Sequence, residues 1–510
     1  MDFDLIVTNG VIVTSAEILD SRTEIGIKDG KIICLGQYLP RSLHTRILDA
    51  GRGYITPGGV DSHVHLAQPE SPDGDNWETG TRGAVSGGTT TVLAFASQAR
   101  GDESLFPALE DYHRKSRGES YCDYGFHFIL TNPTPHIVER ELRVLVEEEG
   151  ITSVKLYMTY EPLKLGDRAI LDVMMAARDL GITTMIHAEN SDMISLITER
   201  LEKRNQIAPW YHAVSRPQIA EGEATNRAIA LAELIDVPVL IVHVSSELAM
   251  NHIREAQTRM LPIHGETCPH YLLLLSEEMK APHFHGAKTV CSPPLRHEPR
   301  DLEAIWRGVA NGTFTTLSSD HAPTKFASPH GKTRGMKGRL PVFRDIPNGL
   351  PGIETRMPLM FSHAVGSNAK ITPTQFVQLT ATKPAVLYGL RGVKGNIAPG
   401  YDADIVIWYP DNHPFSKKDK DESDMGSLRI GIDMLHHDCD YTPYEGMWVN
   451  NWPRYTLLRG QVVWDRDNGG VVGRKGGGQF LKRKKGEVVN GQTGGQGARG
   501  ITAAERELWL

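Results

Sequence analysis

Residues 154–162 read VKLYMTYEP, an apolar run of strand character with a lysine, Lys155, at its head. A lone ammonium inside a fold is costly unless it is paired, neutralised or chemically changed. The bland reading is a strand-end lysine that snorkels to solvent along its aliphatic stem. Which reading holds depends on what kind of strand this is, and the flanking sequence decides that.

Similar short apolar runs recur on both sides: GGVDSHVHL (58–66), TTTVLAFA (89–96), YGFHFILT (124–131), TSVKLYM (152–158), TTMIHAE (183–189), VLIVHVS (239–245), PIHGETC (262–268) and TFTTLSSD (313–320). Helix-like stretches such as RAILDVMMAARDL (168–180) and ATNRAIALAELI (224–235) lie between most of them. Eight such alternations between residues 58 and 394 predict an α/β fold, a (β/α)8 TIM-like barrel with long loops. A doubly wound open sheet is the competing architecture, but no GxGxxG follows a strand here.

Both ends of the chain have a different texture. LIVTNGVIVTS and TEIGIKDGKIICLG near the start are strand-like, with Asn-Gly and Asp-Gly signals of tight hairpins. GNIAPGYDADIVIWYP and YTLLRGQVVWDRD repeat that texture late. The economical reading is one β-sandwich domain built from residues 1–57 and 395–465, with the 58–394 barrel inserted. Residues 466–510 form a Gly-rich basic tail, expected to be flexible or docked on a partner. SKKDKDESD (416–424) reads as a mixed-charge surface loop.

Composition sets the broad class. A net charge of −7 over 510 residues, 40% of them hydrophobic, is that of a soluble globular protein and argues against nucleic acid as a partner. The acidic N-terminus runs straight into a strand pattern and no apolar run is long enough for a membrane span, so a cytoplasmic location is expected. The five cysteines (34, 122, 268, 291 and 439) form no CxxC, which fits reduced thiols. Cys268 and Cys291 lie in apolar surroundings and read as packing residues.

The barrel reading gives the histidines meaning. His63 and His65 form H-x-H and share one face of an extended strand, where two imidazoles can hold one metal. His187 and His243 each follow an apolar run, at the C-terminal strand ends where a barrel places its chemistry. Asp320 closes the eighth run and Lys155 belongs to the fourth. Six donor-type residues thus converge on one barrel mouth. A lysine amine can react with carbon dioxide to give a carbamate, which turns the buried cation into a carboxylate able to bridge two divalent ions. The costly lysine then becomes a ligand.

GGVDSHVHL, GTRGAVSGGTTTV, VKLYMTY, HAEN, HVSS, ETCPHYL, SPPLR, SSDHAP and IPNGLPGIETR occur together in this order, and with them the chain resembles the cyclic amidohydrolases, nearest the dihydropyrimidinase and hydantoinase group. The segment LAQPESPDGDNWETG is more similar to the fungal dihydropyrimidinases than to the bacterial hydantoinases. The resemblance implies that His63 and His65 bind the more buried of two divalent metals, zinc being expected, with His187 and His243 on the more exposed one. Carboxylated Lys155 would bridge both and Asp320 complete the buried site. It implies further that Asp320 is the general base and acid, that Tyr160 stabilises the oxyanion, and that Ser292 and Asn348 hold the substrate's amide edge. The implied reaction opens dihydrouracil, dihydrothymine and hydantoins to N-carbamoyl amino acids, in a homotetramer. Allantoin, dihydroorotate and cyclic imides are alternative substrates. A non-catalytic assembly role, as in the collapsin response mediator proteins, is a third reading, disfavoured because all six ligands are kept.

Overall fold

The computed structural model describes residues 2–69, 71–338, 340–366, 368–410, 428–486 and 499–509. The 416–424 loop and part of the tail lie outside these residues.

Eight parallel strands form the sheet expected from the apolar runs: Gly59–Val64, Thr89–Ser97, Asp123–Ile129, Ser153–Tyr157, Thr183–His187, Val239–Ile241, Ile263–Thr267 and Phe314–Leu317, each beside its sequence neighbours. The circle closes between the last strand and the first. His65 N donates to His321 O at 2.8 Å, and Val64 bridges His321 in parallel fashion. Arg356, from a helix after the eighth strand, braces this seam: its guanidinium lies 3.3 Å from Asp61, 3.0 Å from Leu317 O and 3.1 Å from Thr89 Oγ1.

Strand alternation explains the position of Lys155. Val154, Leu156 and Met158 join the core between the strands and the outer helices, whereas Tyr157 joins the cluster inside the barrel with Phe95, Met185 and Leu240. Lys155 shares parity with Tyr157 and therefore points inward. The helix Asp167–Leu180 buries Ile170, Val173, Met174 and Ala177 against the sheet and ends at Gly181, whose φ of 64° needs no Cβ.

Strands from both termini interleave in the sandwich. One sheet orders Lys31–Gly36, Glu24–Lys28, Leu5–Thr8 and Arg46–Asp49; the other contains Tyr54–Pro57 paired to Ile405–Trp408, then Pro453–Leu458 and Gln461–Asp465. Their facing side chains, among them Val7, Ile25, Ile55, Ile405 and Leu457, share one core. The Asp29–Gly30 turn is a hairpin with both residues at positive φ (51° and 76°). The Asn9–Gly10 turn is not, contrary to the hairpin expectation. Leu5–Thr8 pairs in parallel with Arg46–Asp49 and Val11–Ile12 in parallel with Tyr54–Pro57, so this turn moves the chain between sheets.

The tail also departs from expectation. Gly470–Val471 adds a last strand to the sandwich, and the chain then crosses the barrel. Tyr124 N donates to Gln479 O (2.9 Å), Leu481 N to Tyr124 O (2.7 Å) and Arg483 N to Gly150 O (3.0 Å). Several of the tail glycines, among them Gly473, Gly476 and Gly478, are close-approach positions. A Cβ on Gly478 would stand 1.9 Å from Cys122 O. No described helix is long and apolar enough to cross a membrane.

Candidate active site

At the C-terminal mouth of the barrel, His63 Nε2 lies 2.7 Å from Lys155 Nζ and 3.1 Å from Asp320 Oδ1. His65 Nε2 is 3.6 Å from the same carboxylate oxygen. The rings of His187 and His243 stand 4.5 Å apart, and His243 is 5.4 Å from His63. All six donors predicted from sequence meet here. Two of them, His243 (φ 38°) and Asp320 (φ 46°), adopt the left-handed backbone region, as does Tyr160 (φ 67°). Non-glycine residues held there store local strain, which clusters at functional sites.

Carboxylates behind the imidazoles fix their tautomers. Glu266 Oε1 accepts from His63 Nδ1 at 2.6 Å, leaving Nε2 with its lone pair toward the site. Glu189 Oε2 accepts from His187 Nε2 at 2.8 Å and from Arg216 at 2.8 Å, leaving Nδ1 of His187 for a ligand. Neither glutamate was assigned a role from sequence. The signal was present, since Glu189 stands two residues after His187 in HAEN and Glu266 lies within the seventh strand.

Burial sets the charges. It pushes His65 down to about 4 and lowers His187 and His243 also, so these imidazoles are neutral donors at pH 7. Burial opposes ionisation of Asp320, but the imidazoles around it outweigh that and hold it as a carboxylate, well below the usual range. Lys155, 1% exposed, is pushed down to about 8 by burial, against the pull of Asp320 and Glu266. It has no snorkelling route to solvent. Burial raises Tyr160 to about 12, so its hydroxyl stays a donor.

The donor set suits divalent metal. Donor atoms of His63, His65 and Asp320 all lie within 4.8 Å of one another. His243 Nδ1 is buried without a hydrogen-bond partner, an orphan that a metal bond would satisfy.

Above the donors lies a cavity of about 370 Å³, in the range of small-molecule sites. His65, Lys155, Tyr160, His187, His243, Ser292, Asp320 and Asn348 all line it; His63 sits beneath. Asn348 Nδ2 donates to Tyr160 Oη at 3.1 Å, and Ser292 Oγ is 3.2 Å from His212 Nε2. Cys268 and Cys291 are buried with thiols pushed up by their apolar surroundings, Cys291 to about 12, which fits packing residues.

Comparison with known proteins matches residues 54–463 to the Amidohydrolase family. A D-hydantoinase of Ralstonia pickettii is 39% identical over 485 residues, 94% of this chain and 99% of that protein. A D-hydantoinase of Geobacillus stearothermophilus is 39% identical over 94% and 96%. The crystal structure of dihydropyrimidinase from Brevibacillus agri NCHU1002 superposes with a TM-score of 0.86 at 37% identity, covering 94% of this chain and 98% of that one. With an eight-stranded barrel carrying this donor set, the chain belongs to the amidohydrolase family, in the group of the hydantoinases and dihydropyrimidinases.

Proposed function

We propose that the protein hydrolyses the cyclic amide of dihydropyrimidines and hydantoins, giving N-carbamoyl amino acids. The observation that carries this reading is the inward Lys155 amine, 2.7 Å from His63 Nε2 in a ring of imidazoles and one carboxylate. In this reading an N-carboxylated Lys155, with His63, His65 and Asp320 on one side and His187 and His243 on the other, would hold two divalent ions, zinc being expected. Divalent ions in those positions would supply Lewis acidity toward water and the substrate carbonyl.

The chain's own residues then divide the work. Asp320, a carboxylate beside His63 and His65, takes a proton from the attacking water and returns it to the leaving ring nitrogen. The Tyr160 hydroxyl, still protonated and steadied by Asn348, donates to the carbonyl oxygen as negative charge develops there. Ser292 and Asn348, on two adjoining segments of the cavity wall, hold the amide edge.

Among the alternatives, dihydroorotate fits least. Its carboxylate needs a cation, and among the described residues lining the cavity no arginine is found. The same reading includes a cytoplasmic homotetramer, supported by the family resemblance and the five free thiols. Side-by-side ring-opening assays on dihydrouracil, hydantoin, allantoin and dihydroorotate test the proposal. Fastest turnover of either of the first two supports it, and turnover confined to the last two contradicts it.

A further inference from the structure

Lys332 has no exposed surface. Its Nζ donates to Val290 O (2.8 Å), Pro347 O (2.7 Å) and Gly349 O (2.7 Å). Three such bonds use three N–H groups, the full complement of an ammonium, whereas a neutral amine has two. Burial pushes the amine down to about 7, and the three carbonyls favour its charged form. Among the described residues no carboxylate stands within ion-pair range of it. A buried cation held by carbonyls alone is an uncommon choice for packing, because a hydrophobic side chain of similar length would fill the space without the desolvation cost.

The three acceptors lie in the two cavity-wall segments. Val290 is two residues before Ser292, and Pro347 and Gly349 flank Asn348. The segments touch directly as well, Gly349 N donating to Val290 O at 3.1 Å. Lys332 itself comes from a third segment, a short turn over Lys332–Gly335. Because the peptide unit is planar and trans, holding Pro347 O in one direction turns Asn348 N–H the opposite way, and holding Gly349 O does the same for Leu350 N–H. One ammonium thus sets several peptide planes at the wall that carries Ser292 and Asn348.

We propose that Lys332 is a positioning residue for substrate, a three-way clamp that fixes the backbone of segments 290–292 and 347–349 against which the ring's amide edge is read. The proposal rests on the assignment of Ser292 and Asn348 to that edge. It requires the three-way fan and not merely a positive charge.

The test uses intact, metal-loaded protein with Lys332→Met and Lys332→Arg. Amide hydrogen exchange over 289–293 and 346–351 reads the clamp independently of activity. Lys332→Met should speed exchange in both segments by at least about tenfold while peptides of the metal-bearing strands stay unchanged. Steady-state kinetics on dihydrouracil and hydantoin read the consequence: KM rises about tenfold or more, kcat falls less, and metal content stays at the wild-type value. Lys332→Arg, which keeps charge but spreads its donors in a plane, should give intermediate exchange and KM, and it carries the test should Lys332→Met fail to fold. Unchanged exchange in both segments overturns the clamp. Full recovery of KM by Lys332→Arg overturns it too, since charge alone would then suffice. Faster exchange with wild-type KM leaves the clamp standing but refutes its role in reading substrate. Wild-type protein that turns over neither ring refutes the functional assignment, and the exchange data still decide the clamp.

Discussion

His63 Nδ1 and Glu266 Oε1 stand 2.6 Å apart, both side chains fully buried. The pair fixes which imidazole nitrogen faces Lys155 and Asp320. Glu266→Gln keeps the shape but replaces a carboxylate acceptor with a neutral amide oxygen, a weaker partner for the His63 N–H. Metal affinity or activity should fall by roughly 10–100-fold, the range seen when such outer partners are lost. Metal retained after dialysis against a weak chelator measures it.

Tyr160→Phe removes the hydroxyl aimed into the cavity and leaves the ring in place. The expected result is a kcat lower by about 10²-fold with KM little changed, as for other oxyanion donors. Comparison of kcat and KM on dihydrouracil checks it; an unchanged kcat removes Tyr160 from the role.

Without metal, the Lys155 amine sits near a pKa of about 8 because of burial. Only the uncharged amine attacks carbon dioxide. Its fraction rises with pH through that value. Reactivation of chelator-treated protein by zinc and dissolved carbon dioxide at fixed concentration should therefore be slow at pH 6.5 and quicken toward pH 8.5. The lower pH lies about 1.5 units below that value and the upper about 0.5 above it, so the uncharged fraction rises from a few per cent to roughly three-quarters. A rate independent of pH would argue against carbamate formation at Lys155.

Arg356 ties the first, second and eighth barrel strands through Asp61, Thr89 and Leu317. Arg356→Ala leaves Asp61 buried without its cation, a change that costs about 3–5 kcal/mol at comparable sites. The urea midpoint for loss of barrel structure should fall clearly. A midpoint equal to wild type would show that the seam closes without this brace.

Much of this molecule was legible in its sequence for one reason. Barrel strands are buried on both faces, so they stand out as apolar runs. A histidine or lysine toward the C-terminal end of such a run faces the barrel mouth, whereas His127 and His264 within other runs find structural partners in Ser153 and Thr315. Lys155, His187 and His243 were visible on that account. The turn at Asn9–Gly10 was misread because a positive-φ turn serves a hairpin and a change of sheet equally well, and only long-range pairing separates them. The docking of residues 470–483 on the chain's own barrel was not legible because glycine marks both a flexible segment and a close backbone approach. Gly478 against Cys122 O is the second kind, and no local pattern distinguishes the two. Lys332 was invisible for a related reason. Its partners are backbone carbonyls from distant segments, which leave no trace in side-chain spacing.

The account turns on Lys155 as the bridge between two metals, and metal content per chain tests that most directly. Wild-type protein purified with zinc and bicarbonate should carry about two ions, and Lys155→Ala should lose the bridged pair together with turnover, consistent with ligands that must be present and deprotonated for binding. A Lys155→Ala protein that kept two ions and full activity would contradict the bridge.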